Sequence, residues 1–290
     1  MDRNICLLLA PYMAGDDRHG ASRGPERLLS AGIAGRFADR SRVRTERIER
    51  DGPFGDTGSA SLAVNRRLAA SVRAAIDAGE FPFVLAGSCD AALGVLAGIG
   101  PSGTGAVWLD AHGDFNTPES TLSGFFPGMT LAIATGHCYR KYRARMAPAA
   151  PLEEENVLML GVRDLDAEER ERLAASGIGV VQWSGGEPCS DIAAALDRLA
   201  GRVGDVYLHI DLDSLDPSVA PAIVDQPVPG GLSLTHLEMI LRGVLERFRV
   251  RAAMVATYNP ELDPDEQTLR VVMRIAELLG AVEISHGRRP

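Results

Sequence analysis

Apolar and polar positions alternate between two kinds of segment. Short runs, almost wholly apolar, cover residues 4–10, 83–86, 106–110, 156–162, 178–183, 205–211 and 251–256, and these predict strands. Between them lie segments that predict helices, near 24–36, 59–78, 90–98, 128–136, 167–175, 190–200, 235–247 and 265–279. In the 190–200 segment Ile192, Leu196 and Leu199 recur at spacings of three and four, one face of a helix. Thr235/Glu238 and Asp166/Glu169 have the spacing of capping boxes. Alternating strands and helices predict a mostly parallel sheet covered on both faces. No internal repeat and no linker long enough to split the chain is visible, so one domain over 1–290 is expected. The charged, proline-rich stretch 139–156 reads as a solvated connection, and the terminal HGRRP as a frayed end.

Composition narrows the class. The chain has 290 residues, 46% of them hydrophobic, enough for a sizeable core. A net charge of −9 argues against nucleic acid as partner, because phosphate binding needs clustered lysine and arginine. No signal-peptide pattern is present and no apolar run reaches the roughly 18–20 residues of a membrane span, so a soluble cytoplasmic protein without membrane contact is expected. Cys6, Cys89, Cys138 and Cys189 are scattered without a CxxC pair and read as thiols.

In open parallel sheets ligands collect at the carboxyl ends of strands. Three chemically loaded stretches sit there. In VLAGSCDAALG, Cys89 follows a predicted strand; in AVWLDAHGDFNTPES, Asp110, His112 and Asp114 alternate after another; in VYLHIDLDSLDP, His209, Asp211 and Asp213 alternate at a third. Alternate residues of an extended strand share a face. Left bare, so many acceptor groups would repel one another, and divalent cations resolve the conflict. Carboxylates outnumber imidazole, which suits Mn²⁺ or a similar hard ion. Two such clusters suffice for two ions about 3.5–4 Å apart, an arrangement that activates water near neutral pH. Either DxD taken alone is also an ordinary cap or turn.

The motifs DAHGDFNTP, SGFFPGMTLAIATG, HIDLDSLDP, PGGLSLTHLE and ATYNPELD occur in this order, and together they resemble the arginase/agmatinase (ureohydrolase) family over about residues 80–280. The resemblance implies a three-layer α/β/α fold with an eight-stranded, mostly parallel sheet. It also implies a two-manganese site that hydrolyses a guanidinium or related amidine C–N bond of a small molecule. Carried over residue by residue, it makes Asp110 and Asp211 bridging ligands, adds Asp114 to one ion, and gives His112 and Asp213 to the other. Cys89 falls where the family has a histidine ligand for the first ion. Assembly into trimers or hexamers is common in the family, but no interface residue is readable here.

Three departures bear on substrate. Cys89 offers a thiolate, whose softness shifts metal preference toward Zn²⁺, Fe²⁺ or Co²⁺; the alternative is a small buried residue and a missing ligand. Pro127 replaces a histidine that shuttles protons in arginases. His209, where arginases have a small residue, is the candidate replacement, or a residue that orients a carboxylate. His137 and His236, within predicted helices, read as structural. Thr257 stands where arginases and agmatinases place a glutamate that faces the guanidinium, and it can offer only a neutral hydrogen bond.

The first two departures resemble an arginase-like subgroup that includes the Nω-hydroxy-L-arginine hydrolase of D-cycloserine biosynthesis. At the far end of the substrate, Asn116 and Ser123 match positions that hold an α-carboxylate, and Asp166 and Glu169 positions near an α-amino group. The expected activity is hydrolysis of a weakly basic guanidino or amidine compound, with Nω-hydroxy-L-arginine as the specific candidate. Formimidoylglutamase-like or amide hydrolysis, and a non-catalytic binding protein, are the alternatives.

Overall fold

The structure, a computed structural model, describes residues 4–280 except 19, 38–41, 53, 101–102, 147–149 and 222–226; the HGRRP tail lies outside the described residues. Its frame is one sheet. Strands β1 (Ile5–Ala10), β2 (Val43–Arg47), β3 (Phe81–Ala86), β4 (Thr104–Leu109), β5 (Val157–Val162), β6 (Gly179–Ser184), β7 (Glu187–Pro188), β8 (Asp205–Asp211) and β9 (Arg249–Ala256) stand in the order β2-β1-β3-β9-β8-β4-β5-β6-β7. The first eight in that row are parallel, and the two-residue β7 is antiparallel to β6.

In β1, β3, β4 and β5 every residue is buried, because helices cover both faces. Side-chain alternation splits the core into two layers. Ile5, Leu7 and Leu9 join one cluster with residues of α1 (Gly24–Ser30), α7 (Ile192–Ala200), α8 (Leu234–Arg247) and α9 (Gln267–Gly280). Cys6, Leu8 and Ala10 join the other with residues of α2 (Thr57–Asp77), α3 (Ala92–Ile99), α4 (Thr130–Thr135), α5 (Arg140–Met146) and α6 (Ala167–Ala175). This is the expected three-layer α/β/α arrangement with eight parallel strands. Among the described residues, no helix is long and apolar enough to cross a membrane.

Several local expectations need correction. β2 has no apolar run; it is an edge strand whose Arg44, Glu46 and Arg47 form ion pairs at the surface. The connection at 139–156 contains α5, anchored by buried Tyr142, whose hydroxyl meets Ser61 and Asn65. The helix expected over 24–36 breaks at Gly32, whose φ of +87° is left-handed, and resumes as a 3₁₀ turn at Ile33–Arg36. The capping box of α8 is Ser233 with His236, not Thr235 with Glu238. His137 lies just past the end of α4 and pairs with Glu154.

Four neighbouring strands at the centre, β3-β9-β8-β4, position the site. Their carboxyl ends deliver Cys89, Thr257, Asp211 with Asp213, and Asp110 through Asp114.

Candidate metal centre

The two aspartate motifs leave their strands by turning, not by continuing extended. After β4, the His112 amide donates to Asp110 Oδ1 at 2.8 Å; after β8, the Asp213 amide donates to Asp211 Oδ1 at 2.8 Å. In each, a carboxylate caps the amide two residues on, which curls the chain at the sheet's rim. Asp114 takes a left-handed φ of +48°, and its carbonyl accepts the amides of Leu131 and Ala132 at the start of α4. The aspartates therefore converge because the chain turns at the strand ends, not because alternate residues of a continuing strand share a face.

Two donor groups result. One ligand atom each from Cys89, Asp110, Asp114 and His209 lie within 4.8 Å of one another, as do atoms from Asp110, His112 and Asp213. Asp110 belongs to both. Asp211 stands beside the first group, with Oδ2 2.6 Å from Cys89 Sγ and Oδ1 2.5 Å from Thr257 Oγ1. His112 Nδ1 lies 3.0 Å from Asp213 Oδ2 and 3.4 Å from Asp110 Oδ1. Its side chain is 40% exposed, so the second group opens toward solvent, whereas the first is sealed.

The electrostatics mark a site built for cations. Burial, then the neighbouring Asp110 and Asp211 charges, push the Asp114 carboxyl well up; burial, then Asp213 and Asp110, do the same to Asp211. Burial and four surrounding aspartates hold the Cys89 thiol protonated. Burial raises Asp213 too, but His112 overcomes it and lowers that carboxyl to about 2. His112 is raised in turn: burial depresses it, and Asp213 followed by Asp110 more than offset that. Asp114 Oδ2 and His209 Nε2 are buried polar atoms with no hydrogen-bond partner. Unmet acceptors, crowded carboxylates and a buried thiol fit divalent ions: each donor would gain a partner, and the thiol would ionise on binding.

The other predicted residues scatter around this cluster. Thr257, with a left-handed φ of +72°, is buried, its hydroxyl between Asp211 Oδ1 and its neighbour's carbonyl. Asn116 Nδ2 donates to Asp166 Oδ2 at 3.1 Å, joining two of the expected substrate residues. Asp166 precedes α6 but makes no side-chain cap, so the Asp166/Glu169 capping box is not formed. Glu169 is buried instead and accepts the Phe115 amide at 2.9 Å, which braces the loop carrying Asp114; burial lifts its carboxyl to about 6. A side chain at Gly113 would strike that carboxylate. Ser123 is exposed, and its hydroxyl accepts the Phe125 amide. Pro127 lies buried in a 3₁₀ turn before α4.

His209 is fully buried, and burial pushes its pKa down to about 3, so the ring is neutral. That state suits holding better than shuttling a proton to solvent. Three residues that sequence reasoning passed over complete the site. Trp108 Nε1 donates to Asp110 Oδ2 at 3.2 Å, Tyr207 Oη lies 3.0 Å from His209 Nδ1, and Ser120 Oγ donates to Asn116 Oδ1. The signal for the first two was period-two alternation: Trp108 with Asp110, and Tyr207 with His209 and Asp211.

Comparison with known proteins follows the same lines. The family profile described as Arginase family matches residues 3–280. The arginase of Bacillus subtilis (strain 168) is 31% identical over 293 residues, covering 96% of this chain and 98% of that protein. The crystal structure of arginase from Bacillus subtilis superimposes with a TM-score of 0.87 at 30% identity, covering 97% of this chain and 100% of that one. Proclavaminate amidino hydrolase from Streptomyces clavuligerus, at 22% identity and a TM-score of 0.73, covers 96% of this chain and 91% of its own and shares the fold.

Proposed function

Because the chain belongs to the arginase family of hydrolases, which act on C–N bonds of linear amidines, we propose that it cleaves a weakly basic guanidino compound at a two-metal site. The preferred substrate is Nω-hydroxy-L-arginine, which with water yields L-ornithine and hydroxyurea. Cys89, Asp110, Asp114 and Asp211 would hold one ion, and Asp110, His112 and Asp213 the other. Carboxylate-rich donors favour Mn²⁺, and the Cys89 sulfur admits Zn²⁺, Fe²⁺ or Co²⁺. When bound, such ions supply Lewis acidity and a water acidic enough to act as nucleophile near neutral pH.

The observation that carries the substrate choice is Thr257. Its hydroxyl is spent on Asp211 Oδ1 at 2.5 Å, so position 257 presents no carboxylate to a cationic guanidinium. An arginine guanidinium is always protonated and gains most from a bidentate carboxylate partner. An N-hydroxyguanidine, much less basic, needs none. The expelled group is the δ-amine of ornithine from either substrate, so the loss of acid–base help at Pro127 bears equally on both. The joined pair Asn116 and Asp166 offers polar recognition for an α-amino-acid tail.

The test is a substrate screen of the manganese-loaded protein across guanidino, N-hydroxyguanidino, formimino and amide compounds. Hydroxyurea and ornithine should form from Nω-hydroxy-L-arginine with a kcat/KM at least about tenfold above that for arginine. Faster urea release from arginine would overturn the substrate choice. Formamide or ammonia as the main product would point to formimino or amide hydrolysis.

A further inference from the structure

β4 and β8 are adjacent parallel strands in which Trp108 and His209 are register partners. Their rings stack at 3.7 Å with an interplanar angle of 13°. The stack fixes the imidazole plane beneath the carboxylates. His209 Nδ1 lies 3.0 Å from Tyr207 Oη, while Nε2, fully buried, has no hydrogen-bond partner. An unmet buried polar atom costs about 1–3 kcal/mol, so the arrangement calls for a partner at Nε2.

What surrounds the ring identifies that partner. Ligand atoms of Cys89, Asp110, Asp114 and His209 lie within 4.8 Å of one another. Donors on opposite sides of one divalent ion, with bonds of about 2.0–2.3 Å, stand up to about 4.6 Å apart, so this group has about the size that one ion needs, with side-chain shifts of a few tenths of an ångström closing any excess. Asp114 Oδ2, a member of the same group, is equally unmet. A histidine that merely oriented a carboxylate would donate Nε2–H to it, and no acceptor is in place.

Resting on the two-metal reading above, we propose that His209 Nε2 is a direct ligand of the ion held by Cys89, Asp110 and Asp114, and that Tyr207 sets its tautomer. For Nε2 to give its lone pair, the ring proton must sit on Nδ1, where Tyr207 Oη accepts it. A hydrogen-bonded outer partner of this kind is the usual companion of a ligating imidazole. The first ion thus gains a nitrogen donor from β8 alongside the sulfur from the end of β3.

The test uses the full chain labelled at its histidine nitrogens and loaded with NMR-active cadmium. Scalar coupling to cadmium is expected on two rings, His112 and His209; coupling on His112 alone overturns the proposal. In a second measurement, His209→Gln should weaken manganese at one of two sites by about 100-fold and leave the other unchanged, and Tyr207→Phe should weaken the same site by about tenfold. Equal affinities in wild type and His209→Gln would count against it. The coupling measurement needs no variant, so it decides even where His209→Gln does not fold. Hydrolysis with two bound ions but no His209 coupling sinks this assignment and spares the function. Coupling without hydrolysis of any amidine supports the assignment and sinks the function. Failure to bind any divalent ion sinks both.

Discussion

Strand β8 begins and ends with an aspartate, and the two have opposite fates. Asp205, at the amino end, accepts hydrogen bonds from Arg249 Nε at 2.8 Å and Arg251 Nη1 at 3.0 Å on the neighbouring strand. Burial raises its carboxyl, but the two arginines more than offset that and hold it below its usual value. Asp211, at the carboxyl end, is buried against Asp213, Asp110 and Cys89, and its carboxyl is raised. Among the described residues, no lysine or arginine pairs with Asp110, Asp114, Asp211 or Asp213, and His112 pairs with Asp110 and Asp213 alone of the four. One end of the sheet satisfies its acids with its own cations, and that contributes stability. The other gathers acids and leaves them short of positive charge, which costs stability and creates an appetite for foreign ions.

The comparison breaks most sharply at Asp114. Asn fits the same space and tolerates a left-handed φ at least as well, while removing a buried charge. Asp114→Asn should lower amidine hydrolysis on the order of a thousandfold, since several kcal/mol of metal assistance is lost. The metal-free variant should melt no lower than metal-free wild type and somewhat above it. Calorimetry with and without manganese, beside a rate assay, reads both. A metal-free variant that melts several degrees lower would mean that Asp114 is there for stability.

A smaller effect is expected one layer out. Thr257→Val keeps shape and branching but removes the hydroxyl beside Asp211 Oδ1. Manganese affinity should fall by about tenfold, the lower range for an outer hydrogen bond to a ligand, with the fold unchanged. Titration calorimetry showing unchanged affinity would put Thr257 outside the metal's environment.

The smallest change belongs to the amino end. Asp205→Asn should cost under about 1 kcal/mol, because the pair with Arg249 and Arg251 is partly solvated and screened. A carboxyl whose folded-state pKa is depressed contributes above its unfolded value, about 3.9, and that contribution fades as pH falls through the folded value. The wild-type advantage in melting temperature should therefore be full at neutral pH and shrink below about pH 4. A difference that stays constant down to low pH would show that packing, not charge, is responsible.

Much of the fold is legible in the sequence because the central strands carry mostly apolar runs, so β1, β3, β4, β5, β8 and β9 stand out. β2 does not, since an edge strand need bury little and Val43–Arg47 is mostly charged. α5 is hidden because one buried tyrosine anchors it among basic residues. At the site, the carboxylates and Cys89 are legible from type and position alone. The pairing of Asn116 with Asp166, the bracing by Glu169 and the stack of Trp108 on His209 are not, because each depends on which strand or loop lies alongside. The family resemblance leads one to expect a histidine at 89 and a small residue at 209, where this chain has Cys89 and His209. Only the strand order brings those two side chains to one place.

Asp110 is shared, but the two donor groups it joins differ in one element: sulfur, from Cys89, belongs to one group only. Under the proposed assignment, Co²⁺ in that position gains sulfur-to-metal charge-transfer absorption, and Co²⁺ beside His112 and Asp213 does not. The colour of a half-loaded protein would then reveal which position fills first. A mixed pair of different ions could be assigned to its two positions optically, without a crystal.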